Sequence, residues 1–160
     1  DWSSDVCSSD LNYERNLLAD HLSKKISSIN GLRHIKYDFV KHSYYVYAFS
    51  YDEHIIGIPR DVFCEAMRAE GIPTFGGYVK PLYLNPLYTE RRAFAFKHYN
   101  GTARYEKGLC PITESLNEKK LILTPVCRPP ASTNDMDDIY NAIVKIIENK
   151  HEFSNQNKVK

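Results

Sequence analysis

Between Asn12 and Asn30, Leu18, Leu22, Ile26 and Ile29 recur at steps of three and four residues, which places them on one stripe of a helix. Asn30-Gly31 is a suitable helix stop. Ser43 to Tyr51 has a different texture. It is dense in aromatic and β-branched residues and predicts a strand with Tyr45, Tyr47, Phe49 and Tyr51 on one face. Pro59 opens a second helix, where its absent N–H costs nothing; Phe63, Ala66 and Met67 form the apolar face and Gly71 ends it. Ile72 to Val79 predicts a strand, and the Gly76-Gly77 pair inside it signals a bulge or a close backbone approach. Lys80 to Leu109 is rich in Pro and Tyr and predicts a long ordered loop with short helical turns. Cys110 to Asn117 predicts a short helix, and Leu121 to Val126 a third strand. After the break at Arg128-Pro129-Pro130, Ser132 or Thr133 caps a last helix, with Asp135, Asp137 and Asp138 where the helix dipole favours acids. Met136, Ile139, Tyr140, Ile143 and Ile147 give that helix its apolar face, and His151 to Lys160 reads as a frayed polar tail.

This order predicts an α+β domain, a short sheet of about three strands with helices packed on one side. The first eleven residues stand apart. Asp1–Leu11 is the peptide that a common sequencing-adapter oligonucleotide encodes when read in frame, so it is expected to be an artefact joined to the remnant of a longer protein. The expected organisation is therefore 1–11 adapter-derived, 12–152 one domain, and 153–160 tail. Setting the adapter aside changes the charge. The whole chain carries 21 basic and 20 acidic residues, a formal +1; without Asp1, Asp5 and Asp10 the balance is 21 to 17, or +4. That is weak support for a nucleic-acid partner. Cys64, Cys110 and Cys127 are widely spaced with no Cys-x-x-Cys, which argues against a zinc ribbon or a redox pair and fits free thiols in a reducing cytoplasm. No apolar run is long enough to span a bilayer.

Candidate chemistry concentrates between Gly71 and Tyr88. Tyr78, Tyr83 and Tyr88 offer hydroxyls on rigid rings, Lys80 offers a positive charge, and three prolines stiffen the segment. This combination suits a polyhydroxylated anion such as a nucleotide-linked sugar; packing against a neighbouring domain would use the same tyrosines. The six histidines show no metal-ligand spacing, and there is no nucleophile elbow or phosphate-binding loop. Glu114, at a helix start, is expected to serve as a cap.

The markers stand in a recognisable order: Tyr44-Tyr45-Val46-Tyr47, Pro59-Arg60-Asp61-Val62-Phe63, Glu70-Gly71-Ile72-Pro73-Thr74, Gly77-Tyr78-Val79-Lys80-Pro81-Leu82-Tyr83, Gly108-Leu109-Cys110-Pro111-Ile112-Thr113-Glu114 and Asp137-Asp138-Ile139. From Tyr13 to about Glu152 the chain resembles the C-terminal small domain of the DegT/DnrJ/StrS-type sugar aminotransferases, fold-type I enzymes that use pyridoxal phosphate. The resemblance implies amino transfer from glutamate or glutamine to a keto group on a nucleotide-linked sugar or a cyclitol, in a cytoplasmic homodimer of amino-sugar biosynthesis. It also implies that the Schiff-base lysine and the aspartate on the pyridine nitrogen belong to an N-terminal large domain outside this chain. No lysine here has the Schiff-base context, and Lys80 is not that lysine. The fragment is thus expected to hold no cofactor covalently and to have no catalytic residue of its own. By the same match Tyr78 and Tyr83 contact substrate, with Lys80 and Thr74 behind them, although many relatives carry histidine at the position of Tyr83.

Two other classes compete. Phe75-Gly76-Gly77-Tyr78-Val79-Lys80 superficially matches a single-stranded RNA-binding strand, but no basic residue opens it and Pro81 interrupts it. A stand-alone, non-catalytic binding domain of aminotransferase descent is the other.

Overall fold

The computed structural model describes residues 8–154 except positions 35, 38 and 93. The first helix, α1 (Ser8–Ile26), is followed by β1 (Leu32–Arg33), β2 (Tyr47–Tyr51), α2 (Glu53–Ile56), α3 (Arg60–Ala69) and β3 (Phe75–Gly76). An arm over 81–109 carries only short turns and α4 (Pro86–Thr89). Then come α5 (Pro111–Ser115), a wide π-type turn over Leu116–Lys120, β4 (Leu121–Thr124), α6 (Thr133–Glu148) and α7 (Lys150–Ser154). The sheet has order β1-β2-β4-β3 and every pairing is antiparallel.

The sheet therefore has four strands, one more than the expected three. The addition is β1, whose two residues are too few for a period-two pattern to register. Two strands are shorter than expected. β2 starts at Tyr47 because Tyr44, just ahead of it, takes a left-handed backbone (φ 43°) that breaks the extended run. β3 keeps only Phe75 and Gly76, since Gly77 turns at φ 66°. α1 extends back to Ser8, inside the stretch read as adapter. At the other end α7 prolongs the helical C-terminus to Ser154, and Phe153 packs against the core where fraying was expected; 155–160 lie outside the described residues.

One layer of helices covers one face of the sheet, as expected. Leu18, Leu22 and Ile26 of α1, Phe63 and Met67 of α3, and Met136, Ile139 and Ile143 of α6 are buried with Tyr47, Phe49 and Tyr51 of β2. Both core tyrosines have partners. The Tyr51 hydroxyl donates to the Ile58 carbonyl at 2.8 Å, and the Tyr47 hydroxyl lies 2.8 Å from Ser23 Oγ. Ser132 caps α6 in a reciprocal capping box with Asp135, which satisfies donors that a bare helix end would leave unpaired. Asp137 instead crosses to α1, meeting His21 Nε2 at 2.5 Å and Lys25 Nζ at 3.0 Å. Cys64 and Cys127 are buried free thiols. Desolvation raises them to about 11 and about 12, so both are protonated and unreactive at neutral pH.

Candidate functional site

The face of the sheet away from the helices is partly open: Phe75 is exposed there, whereas Leu123 is buried. Ala48, Leu123 and Phe75 are in register across β2, β4 and β3 on that face. Two grooves lie along it. One, of about 510 Å³, is lined by Tyr45, Phe75, Tyr78, Val79, Pro125 and Arg128, among others. The second, of about 450 Å³, runs along Arg33, His34, His42, Tyr44, Ser50 and Leu121. Tyr45 and Val46 line both. A cleft of about 540 Å³ between α6 and Glu70–Pro73 contains none of the candidate residues.

The first groove owes its shape to the glycine pair. A Cβ on Gly76 would stand 2.6 Å from Arg60 Nε, and one on Gly77 would stand 2.4 Å from the Asn117 carbonyl oxygen. Arg60, buried at the start of α3, donates from Nη1 to that same Asn117 carbonyl at 2.6 Å and is braced by Asp61 Oδ1. The Asn117 side-chain amide donates to the Val79 carbonyl at 3.1 Å, and the Gly77 N–H to the Leu121 carbonyl at 2.7 Å. The absence of side chains at 76 and 77 thus lets the π-type turn sit against β3 and holds Tyr78 at the rim, as the close-approach reading expected.

The four candidate residues separate. Tyr78 lines the first groove and is 65% exposed. Lys80 is exposed and lines neither groove. The Tyr83 hydroxyl turns away and donates to Glu114 Oε1. Burial and that carboxylate push the phenol up to about 12. Thr74 is buried; its Oγ1 donates to the Ile72 carbonyl, and its own carbonyl accepts from Arg68. Glu114, expected as a cap, does accept the Gly108 N–H at 2.7 Å just ahead of α5, but it also ties the arm down through Tyr83. The Tyr83 hydrogen bond is the main reason its carboxyl lies below the ordinary range. Tyr88 packs with Phe96 and Tyr105 in a small aromatic cluster of the arm.

Tyr45 and Arg128 line the groove and were not among the candidates. Tyr45 was expected to share one strand face with Tyr47, Phe49 and Tyr51, yet it precedes β2 and is 73% exposed. Arg128 brings a guanidinium to the aromatic wall. No carboxylate pairs with it among the described residues. Within the described residues no cluster suited to a metal ion occurs, and no helix is long and apolar enough to cross a membrane.

No protein-family model and no curated protein matches the chain. Solved structures do. A DegT/DnrJ/EryC1/StrS aminotransferase from Brucella abortus is 25% identical, covering 86% of this chain and 31% of its own, with a TM-score of 0.60. An aminotransferase from Psychrobacter cryohalolentis is 18% identical over 90% of this chain and 36% of its own, TM-score 0.68. DesI, solved with its TDP-sugar product, is 15% identical over 94% and 34%, TM-score 0.65. Motif order, sheet topology and these superpositions converge: the chain has the aminotransferase-like fold of the DegT/DnrJ/EryC1/StrS type, over about a third of the length of its solved counterparts.

Proposed function

We propose that this chain is the C-terminal part of a pyridoxal-phosphate-dependent aminotransferase that moves an amino group from glutamate or glutamine to a keto sugar, nucleotide-linked, or to a cyclitol. The observation that carries the reading is the likeness to the Brucella abortus aminotransferase over most of the chain. In this reading the small domain supplies one wall of the substrate site. Tyr78 is the contact best placed to act there, at the rim of an open aromatic groove. Lys80 stands two residues on, exposed, as a countercharge to an anionic substrate. Tyr83 and Thr74 act by shape, since their hydroxyls are committed to Glu114 and to the Ile72 carbonyl.

The residues lining the two open-face grooves do not themselves suit the cofactor. Neither groove on the open face is lined by a lysine, so no amine stands there to capture an aldehyde. We assign the cofactor, the Schiff-base lysine and the homodimer contacts around them to the large domain, and the reading routes no chemical step through this chain.

Re-sequencing the genomic DNA across the codon for Leu11 with different adapters tests the reading. A continuous upstream frame carrying the lysine and the aspartate is the expected result. A start or stop codon at that junction overturns it in favour of a stand-alone binding domain. Borohydride reduction of the isolated chain with pyridoxal phosphate should leave no single dominant lysine adduct; one such adduct would contradict the assignment of the cofactor to the large domain.

A further inference from the structure

Asp135, Asp138, Ala142, Lys145 and Asn149 recur at steps of three and four along α6 and its C-cap, so they form one stripe. All five line clefts on the side of α6 that meets the end of α3 and the turn after it. The first cleft, of about 540 Å³, has Glu70–Pro73 as its other wall. The second, of about 440 Å³, has Ala66, Ala69 and Glu70 as its wall and reaches Phe153 of α7. Glu70 and Lys145 line both clefts and are joined at 2.8 Å, so the two run on as a single trough. At 1.5 Å per residue it extends about 21 Å from Asp135 to Asn149. Its floor is apolar: Ile72, Val126, Met136 and Ile139 in the first cleft, Ile146 and Phe153 in the second.

The charge along this trough has one sign. Glu70, Asp135, Asp138 and Glu152 line it against the single cation Lys145, a balance of −3 on a chain whose formal total is +1. Asp138 and Glu152 are exposed and have no hydrogen-bond or ion-pair partner among the described residues. The grooves on the other face of the sheet are the reverse, since Arg128 and Arg33 are their charged residues. We propose that the trough is the docking site of a basic amphipathic helix from a partner protein. An apolar floor with an acidic rim matches an apolar helix stripe flanked by lysines or arginines. Its length takes about four turns of such a helix, whereas a compact small molecule would fill one cleft and leave the other empty. The partner's cations meet Asp138 at one end and Glu152 at the other, and one between them displaces Lys145 from Glu70. That exchange costs little, because the Glu70–Lys145 pair is solvent-exposed on the lysine side. The same carboxylates repel nucleic acid and anionic lipid. The trough lies in the helix layer, so the proposal stands apart from the aminotransferase reading.

The test is titration of the full chain with a fluorescein-labelled synthetic Leu/Lys peptide of about four helical turns, its leucines on one face, followed by anisotropy and by amide NMR shifts. The peptide should bind and move the signals of Ala69, Ile139, Ala142 and Phe153. A Leu/Glu counterpart, and a scrambled Leu/Lys peptide that keeps the charge and loses the stripe, should each bind about tenfold more weakly or less. Asp138→Lys combined with Glu152→Lys should weaken binding about tenfold and leave the urea midpoint unchanged, because both side chains are exposed and unpartnered among the described residues. Lys145→Gln, which frees Glu70, should tighten it. Absence of binding, equal binding of either control peptide, shifts confined to Tyr45 and Tyr78 on the open face, or full affinity in the double variant overturns the proposal. Two other occupants would overturn it as well. Shifts of the same four signals with protein concentration alone would give the trough to a second copy. Shifts caused by Lys158→Glu with Lys160→Glu, in the absence of peptide, would give it to the chain's own C-terminal residues.

Discussion

On the helix-covered face of the sheet, Tyr47, Phe49 and Tyr51 are buried, and both tyrosine hydroxyls find partners inside the protein. On the open face Tyr45, Phe75 and Tyr78 are mostly exposed around a groove. Tyr45 and Tyr47 are only two residues apart in sequence, yet one is surface and the other core. Residue type does not separate them. The backbone does, because the left-handed turn at Tyr44 takes Tyr45 out of the alternation that β2 begins two residues later. An aromatic run can thus divide its labour: three rings are buried in the core while neighbouring rings stay exposed.

The contrast can be broken first at its strongest point. Ile143→Ala, at a fully buried position on the inner face of α6, should cost about 3 kcal/mol by urea unfolding, since it loses burial and leaves a cavity. Tyr45→Ser and Phe75→Ser should each stay within about 0.5 kcal/mol of wild type. Comparable losses on both faces would mean that the open face is also structural. Next in size is Gly77→Ala. The left-handed φ and the Asn117 carbonyl 2.4 Å from the added Cβ should together cost about 2 kcal/mol and move the Tyr78 resonances. Full stability in that variant would remove the argument that the glycine pair shapes the groove. The smallest effect is local and pH-dependent. The Glu114 carboxyl is held below its ordinary value, first by the Tyr83 hydroxyl and then by backbone N–H groups. The tether is accordingly intact above the usual carboxylate range and lost as pH falls through the depressed value. Tyr83 ring signals followed from roughly pH 6 to pH 2 should report the release, and Glu114→Gln should show no such step.

The three long helices, α1, α3 and α6, were legible in the sequence because each carries an apolar stripe of the right period, whereas the four-residue α2 has too little length for a stripe and was not read. Leu18, Leu22 and Ile26 are buried as the spacing required, and Ser132 with Asp135 forms the expected cap. The strands were legible as places but not as lengths. β1 is held by pairing with Tyr51 and Ser50, a contact no local pattern encodes. Of the site, Tyr78 and the glycine pair were legible, since aromatic residues next to Gly-Gly indicate a close approach with an exposed ring. Tyr83 was not, because the residue that claims its hydroxyl is Glu114, 31 positions away. Thr74 looked available as a hydroxyl in a loop, but three successive carbonyls around it are bound by Thr74, Thr124 and Arg68, which closes the segment into the core. Arg128 reads in sequence only as part of a Pro-rich break; the turn of the chain beyond β4 brings it to the aromatic wall.

The two outermost strands, β1 and β3, are each two residues long. A sheet margin that short offers a foreign strand almost no ladder of free N–H and C=O groups on which to grow. Copies of this chain should therefore meet through their aromatic surfaces, in assemblies that mild detergent dissolves, and not as cross-β fibres that bind thioflavin.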